Sequence, residues 1–449
     1  MSLVALAVSV VGALLPLHAT VRGGEIASVS VRGQTVTFAA LSRTKLDPGP
    51  ATVTANAPGA STAIEIPHCG RRGAVTIDGT RYAPPPGPFV VRVAPRAEPH
   101  AISIEITVSE YEKRVACSDP IRAGQPTDVR DGLQVIDFPS PPTTTFASQG
   151  GHAVIYVPPG HDTTKPAALL VGVHPWNGDI WTYAAYAELL AAARANDIVL
   201  VMPNGLGNTL YTAVPEQEVM RAIDATEKAV AIDPRRVSIW GASMGGQGAC
   251  TIGLHHPDKF AFIASWFGDA KFDLSTYIRN ILPTPEAAHR VNPVDVIDNA
   301  RHVPIKLIHG DADRTSNVHE SDDLAAALRQ RGYAFTYDRV PGRGHEGLLV
   351  VEHIAEVVAF ASHVQSPAHP TRVTFRSVRA EDDRAYGVRV VRSGAGDAFV
   401  DLEQVGGRVV IHRADGVRAI VLEDGALGVA KGAAFAWDLA HPNVEARFE

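Results

Sequence analysis

The feature that most limits what this chain can fold into is a series of short apolar runs between about residues 152 and 363. The runs are HAVIYV, AALLVGV, IVLVMP, RVSIWG, FAFIASWF, PIKLIHG and AFTYDRV, and stretches of helical periodicity separate them. A strand that is apolar at successive positions is buried on both faces, as in a parallel sheet between two helix layers. The pattern therefore predicts a mostly parallel sheet with helices on both faces.

Segments with a different pattern flank this region. AISIEITVS before it, and RVTFRSV, FVDLEQV and RVVIHR after it, alternate apolar and polar residues. Alternation with period two is typical of antiparallel strands. The sequence predicts four parts, which are a signal peptide or anchor at 1–19, a β-sandwich-like domain at 20–132, the α/β domain at 133–365 and a small β domain at 366–449.

The first segment has the features of an export signal. It is apolar from Leu3 to Leu17, and Leu17-His18-Ala19 fits a cleavage site before Thr20. No Lys or Arg precedes the apolar run, so an uncleaved membrane anchor is the alternative. We expect a secreted or periplasmic protein whose only membrane contact is this segment, because no later apolar run approaches the ~18 residues of a membrane span.

The charge distribution argues against a nucleic-acid partner. The formal net charge is -7, and residues 133–365 carry 17 Lys and Arg against 25 Asp and Glu. Such a chain has no overall basic footprint for nucleic acid, although a local pocket can oppose the mean charge, and we expect no nucleic-acid partner.

The three cysteines leave disulfide pairing open. Cys69 and Cys117 share the N-terminal segment and can pair, although three free thiols are an equal alternative. Cys250 lies in an apolar helical stretch and is predicted to be a small buried hydrophobe.

The candidate nucleophile is Ser243, in the sequence Gly241-Ala242-Ser243-Met244-Gly245. This motif follows an apolar run that ends at Trp240, and it opens a predicted helix that ends near His255. A nucleophile elbow requires this strand–turn–helix placement, because the sharp turn exposes the serine hydroxyl at the end of the sheet. The small residues leave room where strand and helix cross.

The candidate acid and base follow the nucleophile in the order expected for this fold. Asp311 and Asp313 both follow the run PIKLIHG. Asp313 is the predicted acid, since HGxxD places it beyond a tight turn in which Asp311 would cap backbone amides. His345 lies in the glycine-rich loop RVPGRGHEGL and is the predicted general base.

Two amides are predicted to stabilise the oxyanion. One is that of Met244, directly after the nucleophile. The other comes from the loop HPWNG, residues 174–178, where Pro175 has no N–H. Trp176 is the first candidate in that loop and Asn177 the second.

Three tryptophans are candidates for the substrate pocket. Trp176, Trp181 and Trp266 follow strand ends, on the side where α/β sheets bind ligands. Packing in the core is the alternative. Residues 268–303, which include Tyr277 and His289, interrupt the strand pattern and are predicted to form a partial lid.

The motifs IDPRRVSIWGASMGGQGA, HGDAD and GRGH resemble those of secreted α/β-hydrolases. The similar proteins are related to the prolyl-oligopeptidase catalytic domain, polyhydroxybutyrate depolymerase and feruloyl esterase-like enzymes. The resemblance covers about residues 152–363 and implies an α/β-hydrolase fold. It also implies serine-dependent hydrolysis of an ester or peptide bond, with no metal or organic cofactor. The chain departs from the pattern at HPWNG, which replaces the commoner H-G-x start of the oxyanion loop.

These observations favour a secreted serine hydrolase that cleaves carboxylic esters of a small molecule or a polymer through an acyl-enzyme. The second hypothesis is a serine peptidase of the prolyl-oligopeptidase type, although residues 21–130 are too few for the β-propeller of those enzymes. The third hypothesis is a binding protein without catalytic activity.

Overall fold

The structure is a computed structural model of the 449-residue chain. It describes residues 132–140, 151–272, 278–438 and 444–449, and before residue 108 it describes the backbone of nine strands. The segment 1–19, Cys69 and Cys117 lie outside the described residues.

The nine N-terminal strands form two antiparallel sheets, as their alternating sequence predicts. The strands are β1 (Thr20–Arg22), β2 (Glu25–Val31), β3 (Gln34–Thr37), β4 (Ala51–Asn56), β5 (Thr62–Ile66), β6 (Arg72–Ile77), β7 (Thr80–Tyr82), β8 (Phe89–Val93) and β9 (His100–Thr107). One sheet has the order β1-β5-β8 and the other the order β3-β2-β4-β9-β6-β7.

An eight-stranded sheet forms the central part of the described structure. Its strands are β10 (Leu133–Asp137), β11 (His152–Tyr156), β12 (Ala167–Val173), β13 (Ile198–Pro203), β14 (Ile232–Ala242), β15 (Phe262–Trp266), β16 (Ile305–Gly310) and β17 (Phe335–Val340). Their order is β10-β11-β13-β12-β14-β15-β16-β17. The pairs β10–β11 and β11–β13 are antiparallel, and the other pairs are parallel. All seven apolar runs form strands of this sheet, which confirms the predicted fold class.

Helices cover both faces of the sheet. They are α1 (Ala187–Ala195), α2 (Val214–Ala229), α3 (Met244–His255), α4 (Pro285–His289), α5 (Val318–Arg331) and α6 (Gly347–Ala361). Successive side chains of a strand point to opposite faces, so the core has two layers. In β12, Leu169 and Val171 belong to the first layer together with Ile252 of α3. Leu170 belongs to the second layer, together with Ile354 of α6.

The C-terminal part is rich in β structure, as predicted. Its strands are β18 (Arg372–Ser377), β19 (Arg384–Ala385), β20 (Val388–Arg392), β21 (Ala398–Val405), β22 (Arg408–Asp415), β23 (Val417–Leu422), β24 (Phe435–Trp437) and β25 (Glu445–Phe448). They form two four-stranded sheets, in the orders β18-β21-β22-β24 and β19-β20-β23-β25. Phe375, Ile411 and Ile420 lie in one apolar core that residues of both sheets share.

A buried group of charged residues joins this C-terminal part to the helices. Arg379 donates to both carboxylate oxygens of Glu216 on α2, at 2.6 and 2.9 Å, and to Asp382 at 2.6 Å. His255 at the end of α3 lies 2.5 Å from Asp382, and His256 lies 2.7 Å from Glu216. We call these five residues the interface cluster. Through it, the C-terminal sheets are fixed to the helix that begins beside Ser243.

The charge of Glu216 makes the stability of the fold sensitive to acid. Burial opposes ionisation, but hydrogen bonds from His256 and Arg379 prevail and lower the pKa of Glu216 from 4.5 to about 2. A carboxyl whose pKa is lower in the folded state stabilises the fold above its unfolded pKa, here by about 3 kcal/mol. This contribution is lost as the pH falls from 4.5 through about 2.

We therefore expect Glu216→Gln to be less stable than the wild type at pH 7, with a difference that shrinks below about pH 4.5. Urea unfolding of both proteins at several pH values from about 7 down to about 3 measures this difference. Glu381→Gln, a change at a carboxyl outside the hydrogen bonds of the interface cluster, serves as the control. A difference that stays constant over this range would contradict the assigned role of Glu216.

The segment predicted to form a lid packs between the helices of the central part and the C-terminal sheets instead. Val291, Val296 and Ile297 are buried in the first core layer. His289 contacts Asp397 of the C-terminal part at 3.0 Å. Residues 278–303 of this segment therefore connect the helices to the C-terminal sheets, and residues 273–277, which include Tyr277, lie outside the described residues. Within the described ranges, no helix has the length and apolarity needed to cross a membrane.

Candidate active site

Ser243 lies at the sharp turn between β14 and α3. Its backbone has φ 58° and ψ −122°, a conformation that costs a non-glycine residue about 1–3 kcal/mol unless its surroundings hold it. The Ser243 N–H donates to Trp266 O at 2.9 Å, and the Gln247 N–H donates to Ser243 O at 3.0 Å. The turn therefore has the strained conformation of an elbow, held by a hydrogen bond on each side.

Glycines keep the helix close to the sheet at this turn. A Cβ atom on Gly245 would lie 1.9 Å from the Val173 carbonyl oxygen, and one on Gly241 would lie 2.3 Å from the Gly245 carbonyl oxygen. Backbone oxygens cannot move away as a flexible side chain can. Any larger residue would push α3 from the sheet and displace Ser243.

His345 and Asp313 form a hydrogen-bonded chain with Ser243. His345 Nε2 lies 2.9 Å from Ser243 Oγ, and His345 Nδ1 lies 2.7 Å from Asp313 Oδ2. A carboxylate only accepts, so in the neutral imidazole Nδ1 carries the proton and Nε2 accepts from the serine hydroxyl. The ring of Phe267 packs against the imidazole, with centroids 4.3 Å apart. The structure thus brings together the three residues that the sequence selected.

Asp313 is held as a carboxylate. Its side chain is fully buried. Burial by itself would raise its pKa, but hydrogen bonds from His309, His345 and the Thr315 amide hold the pKa of Asp313 well below its ordinary value. Its other oxygen, Oδ1, accepts from the amides of Thr315 and Ser316, at 2.7 and 3.0 Å. The negative charge can therefore orient His345 and stabilise it as an imidazolium.

His309 contributes more than the sequence indicated. Its position before the glycine turn predicted only that it orders this turn. It is fully buried, and its Nε2 lies 3.1 Å from Ser316 O and 3.4 Å from Asp313 Oδ2. Its Nδ1 lies 2.8 Å from Ser321 Oγ. His309 orders the turn and also faces the acid, a contact that the four-residue spacing of H-G-x-x-D could have suggested.

Asp311 lies outside the hydrogen-bonded chain and joins two loops. It is exposed, and its Oδ1 accepts from the Gly342 amide at 2.7 Å. The Ala312 amide donates to Arg343 O at 2.9 Å. A Cβ atom on Gly310 would lie 2.2 Å from that same Arg343 oxygen. Asp311 thus caps an amide as expected, but it does so in the loop of His345 rather than in its own turn.

The loop after β12 lies against the start of α3, because a Cβ atom on Gly245 would lie 2.9 Å from the His174 carbonyl oxygen. Met244 is the first residue of α3, so its N–H is one of the amides that find no acceptor within a helix. The Asn177 amide donates to Asn208 Oδ1 at 2.7 Å. The amide of Asn177, the second candidate for the oxyanion donor, is therefore bonded to Asn208.

The three candidate tryptophans do not line one common surface in the structure. Trp266 is fully buried, and its Nε1 donates to Leu349 O at 3.2 Å. The prediction that Trp266 lines the substrate pocket is therefore wrong, since a position at a strand end gives no information on depth. Trp176 packs against the first core layer and Trp181 against the second. Both are only partly buried, and they lie on opposite sides of the sheet.

One group near α2 has the composition of a metal site but not its charge. Ligand atoms of Glu216, His256 and Asp382 lie within 4.8 Å of one another. Arg379 donates to both carboxylates. Its guanidinium supplies the positive charge that a metal ion would bring, so the group fits an ion-pair network.

The fold identifies the class of the protein. The chain contains an α/β-hydrolase fold, the fold of many serine hydrolases, and Ser243 lies at the turn between β14 and α3. The family model described as the prolyl oligopeptidase family matches residues 205–366, a range that includes Ser243, Asp313 and His345. No curated protein matches this sequence.

Several solved structures are similar to part of the chain. The fluorophosphonate-binding serine hydrolase F of Staphylococcus aureus is 17% identical over 51% of this chain and 98% of its own, with a TM-score of 0.43. An S-formylglutathione hydrolase from Agrobacterium tumefaciens is 18% identical over 52% of this chain and 95% of its own, with a TM-score of 0.44. A puromycin-hydrolyzing peptidase of Mycobacterium tuberculosis is 18% identical over 70% of this chain and 53% of its own, with a TM-score of 0.46.

Proposed function

We propose that this protein is a serine hydrolase that cleaves carboxylic esters of small molecules or polymers through an acyl-enzyme. The observation that carries the proposal is the chain of hydrogen bonds from Ser243 through His345 to Asp313. A hydroxyl bonded to an imidazole, which a buried carboxylate orients in turn, is the arrangement of an activated serine nucleophile.

In the proposed reaction, Ser243 Oγ attacks the carbonyl carbon while His345 Nε2 takes its proton. The amides of Met244 and Trp176 donate to the developing oxyanion. His345 then returns the proton to the leaving alkoxide, and the alcohol departs from the acyl-enzyme. A water molecule, deprotonated by His345, attacks the acyl carbon, and the acid leaves as Ser243 regains its proton.

The arrangement of the described N-terminal strands supports an ester over a peptide, because it is not that of a β-propeller. A β-propeller has four to eight blades of four strands. Residues 20–107 hold nine described strands, in sheets of three and six. The alternative, a serine peptidase, is favoured by the match to a peptidase family model.

The proposal extends to the organisation and location of the chain. We assign the chemistry to a domain at 133–365, between β domains at 20–132 and 366–449. The apolar run from Leu3 to Leu17 supports export of the protein. As a secreted or periplasmic enzyme, it would encounter its ester substrate in that compartment.

A matched pair of substrates tests ester against peptide chemistry. We expect a methyl ester to be hydrolysed and the p-nitroanilide of the same acyl group to remain intact, with Ser243→Ala as the background for both. Anilide hydrolysis that depends on Ser243 at a comparable kcat/KM would establish the peptidase instead. If the folded wild type hydrolyses neither the ester nor the anilide, the result would favour a binding protein.

A further inference from the structure

We propose that Asn208 is a positioning residue that holds the oxyanion loop, residues 174–178, in its active conformation. This inference rests on the proposed function. The observation behind it is a reciprocal amide pair. The Asn177 N–H donates to Asn208 Oδ1 at 2.7 Å, and Asn208 Nδ2 donates to Asn177 Oδ1 at 2.8 Å.

The pair fixes an unusual backbone conformation next to the proposed donor. Asn177 has φ 68°, in the left-handed region that non-glycine residues rarely adopt. It directly follows Trp176, so its conformation sets the direction of the chain as it leaves the donor peptide. Two hydrogen bonds to one side chain hold that direction against the extended conformations that an exposed asparagine otherwise prefers.

Asn208 belongs to a segment whose own backbone is constrained. Four non-glycine residues of the segment 204–213 have φ between 52° and 58°, namely Leu206, Leu210, Tyr211 and Ala213. Such conformations persist only where the surroundings determine them, and they are concentrated at functional sites. Three of these four side chains are buried, with at most 3% exposure. The segment 204–213 therefore holds Asn208 in a fixed position.

The segment 204–213 also contacts the other end of the oxyanion loop. Tyr211 Oη donates to His174 O at 2.9 Å, and His174 Nε2 lies 2.6 Å from Asn204 O. Trp176 thus lies between two residues, His174 and Asn177, that are both bonded to the segment 204–213. Pro175, which stands where the commoner H-G-x start has glycine, supplies no N–H, and the loop is held instead through the residues on either side of Trp176.

The test is Asn208→Ala. Removing a whole oxyanion donor lowers kcat about 10²- to 10³-fold, and a loosened donor is expected to lower it by roughly 10- to 100-fold, with KM nearly unchanged. A thionoester provides the specific readout. Sulfur accepts hydrogen bonds poorly, so the wild type should prefer the oxygen ester strongly, and Asn208→Ala should lose much of that preference.

Two further variants separate positioning from general damage. Asn196→Ala also removes an asparagine side chain that is bonded to the backbone, but at the end of α1, where Asn196 Nδ2 donates to Ala192 O at 2.8 Å. It should keep the wild-type kcat and the wild-type ester preference. Asn177→Gly tolerates the positive φ and removes only the bond from Asn208 Nδ2, because the glycine amide can still donate to Asn208 Oδ1. Adding it to Asn208→Ala, which already removes both bonds, should lower kcat no further than Asn208→Ala alone.

The outcomes distinguish this inference from the proposed function. If the wild type hydrolyses esters and Asn208→Ala matches it in kcat and in preference for the oxygen ester, Asn208 has no positioning role. An equal loss on ester and thionoester, with a lower melting temperature, would indicate only structural damage and would also overturn the inference. If the wild type is inactive on esters, both the proposed function and this inference fail.

Discussion

Ser243→Ala is expected to lower kcat for ester hydrolysis by roughly 10⁶-fold and to abolish labelling by a fluorophosphonate probe. The reason is that the hydroxyl bonded to His345 Nε2 at 2.9 Å is the atom that forms the acyl-enzyme in the proposed mechanism. Every later step of the mechanism depends on this atom. Removal of this one oxygen should therefore lower kcat as much as removal of the Ser243, His345 and Asp313 side chains together. Intact-mass measurement after labelling should show one adduct on the wild type and none on the variant.

Ser238→Ala is a matched control for that experiment. Ser238 lies on the same strand, β14, and is fully buried. Within the described part of the chain its hydroxyl has no hydrogen-bond partner, so its loss leaves no group unpaired. We expect one adduct and wild-type turnover. Labelling of Ser243→Ala at the wild-type rate, or a folded wild type that is never labelled, would refute the assignment of the nucleophile.

The strands and the candidate triad could be predicted because their signals are local. Each apolar run forms a strand of the central sheet, and all of these strands except the edge strand β17 have mostly buried residues in the run. The helix after Ser243 begins and ends at the residues that the sequence indicated. The order of serine, acid and base reduced 18 histidines to His345. The choice of Asp313 over Asp311 followed from turn geometry, and the structure places Asp313 2.7 Å from His345.

Features set by distant contacts could not be predicted. β24 and β25 have three and four residues and pair in parallel with β22 and β23, so no alternation marks them. Trp266 is the last residue of β15, a position that pocket residues also occupy, but α6 covers it. The left-handed residues around Asn208 include leucine and tyrosine, which carry no turn signal. Tyr211 Oη donates to His174 O, 37 residues earlier in the chain, and no local sequence pattern indicates such a contact.

The interface cluster is expected to contribute strongly to the stability of the fold. Arg379→Met is expected to lower the free energy of unfolding by about 3–5 kcal/mol. Arg379 is buried and is bonded to Glu216 through two nitrogens and to Asp382 through the third. Methionine replaces the volume of the side chain but not its charge, and two buried carboxylates lose their counterion. Urea unfolding at pH 7 measures the loss.

Arg384→Met is the matched control, because its side chain is 57% exposed and pairs with Asp383 at 3.1 Å on the surface. It should cost less than about 1 kcal/mol. Adding Glu216→Gln and Asp382→Asn to Arg379→Met removes the stranded charges and should restore part of the loss.

The cluster also predicts which part of the molecule Arg379→Met affects. His255 and His256 lie at the far end of the helix that begins beside Ser243, and both contact carboxylates that Arg379 holds. If the C-terminal sheets are part of the catalytic unit, ester hydrolysis by Arg379→Met should be lost at the same lowered temperature as the folded structure. Hydrolysis that survives while the C-terminal part unfolds would instead show two units that are stable independently of each other, and the cluster would then be a contact without consequence for Ser243.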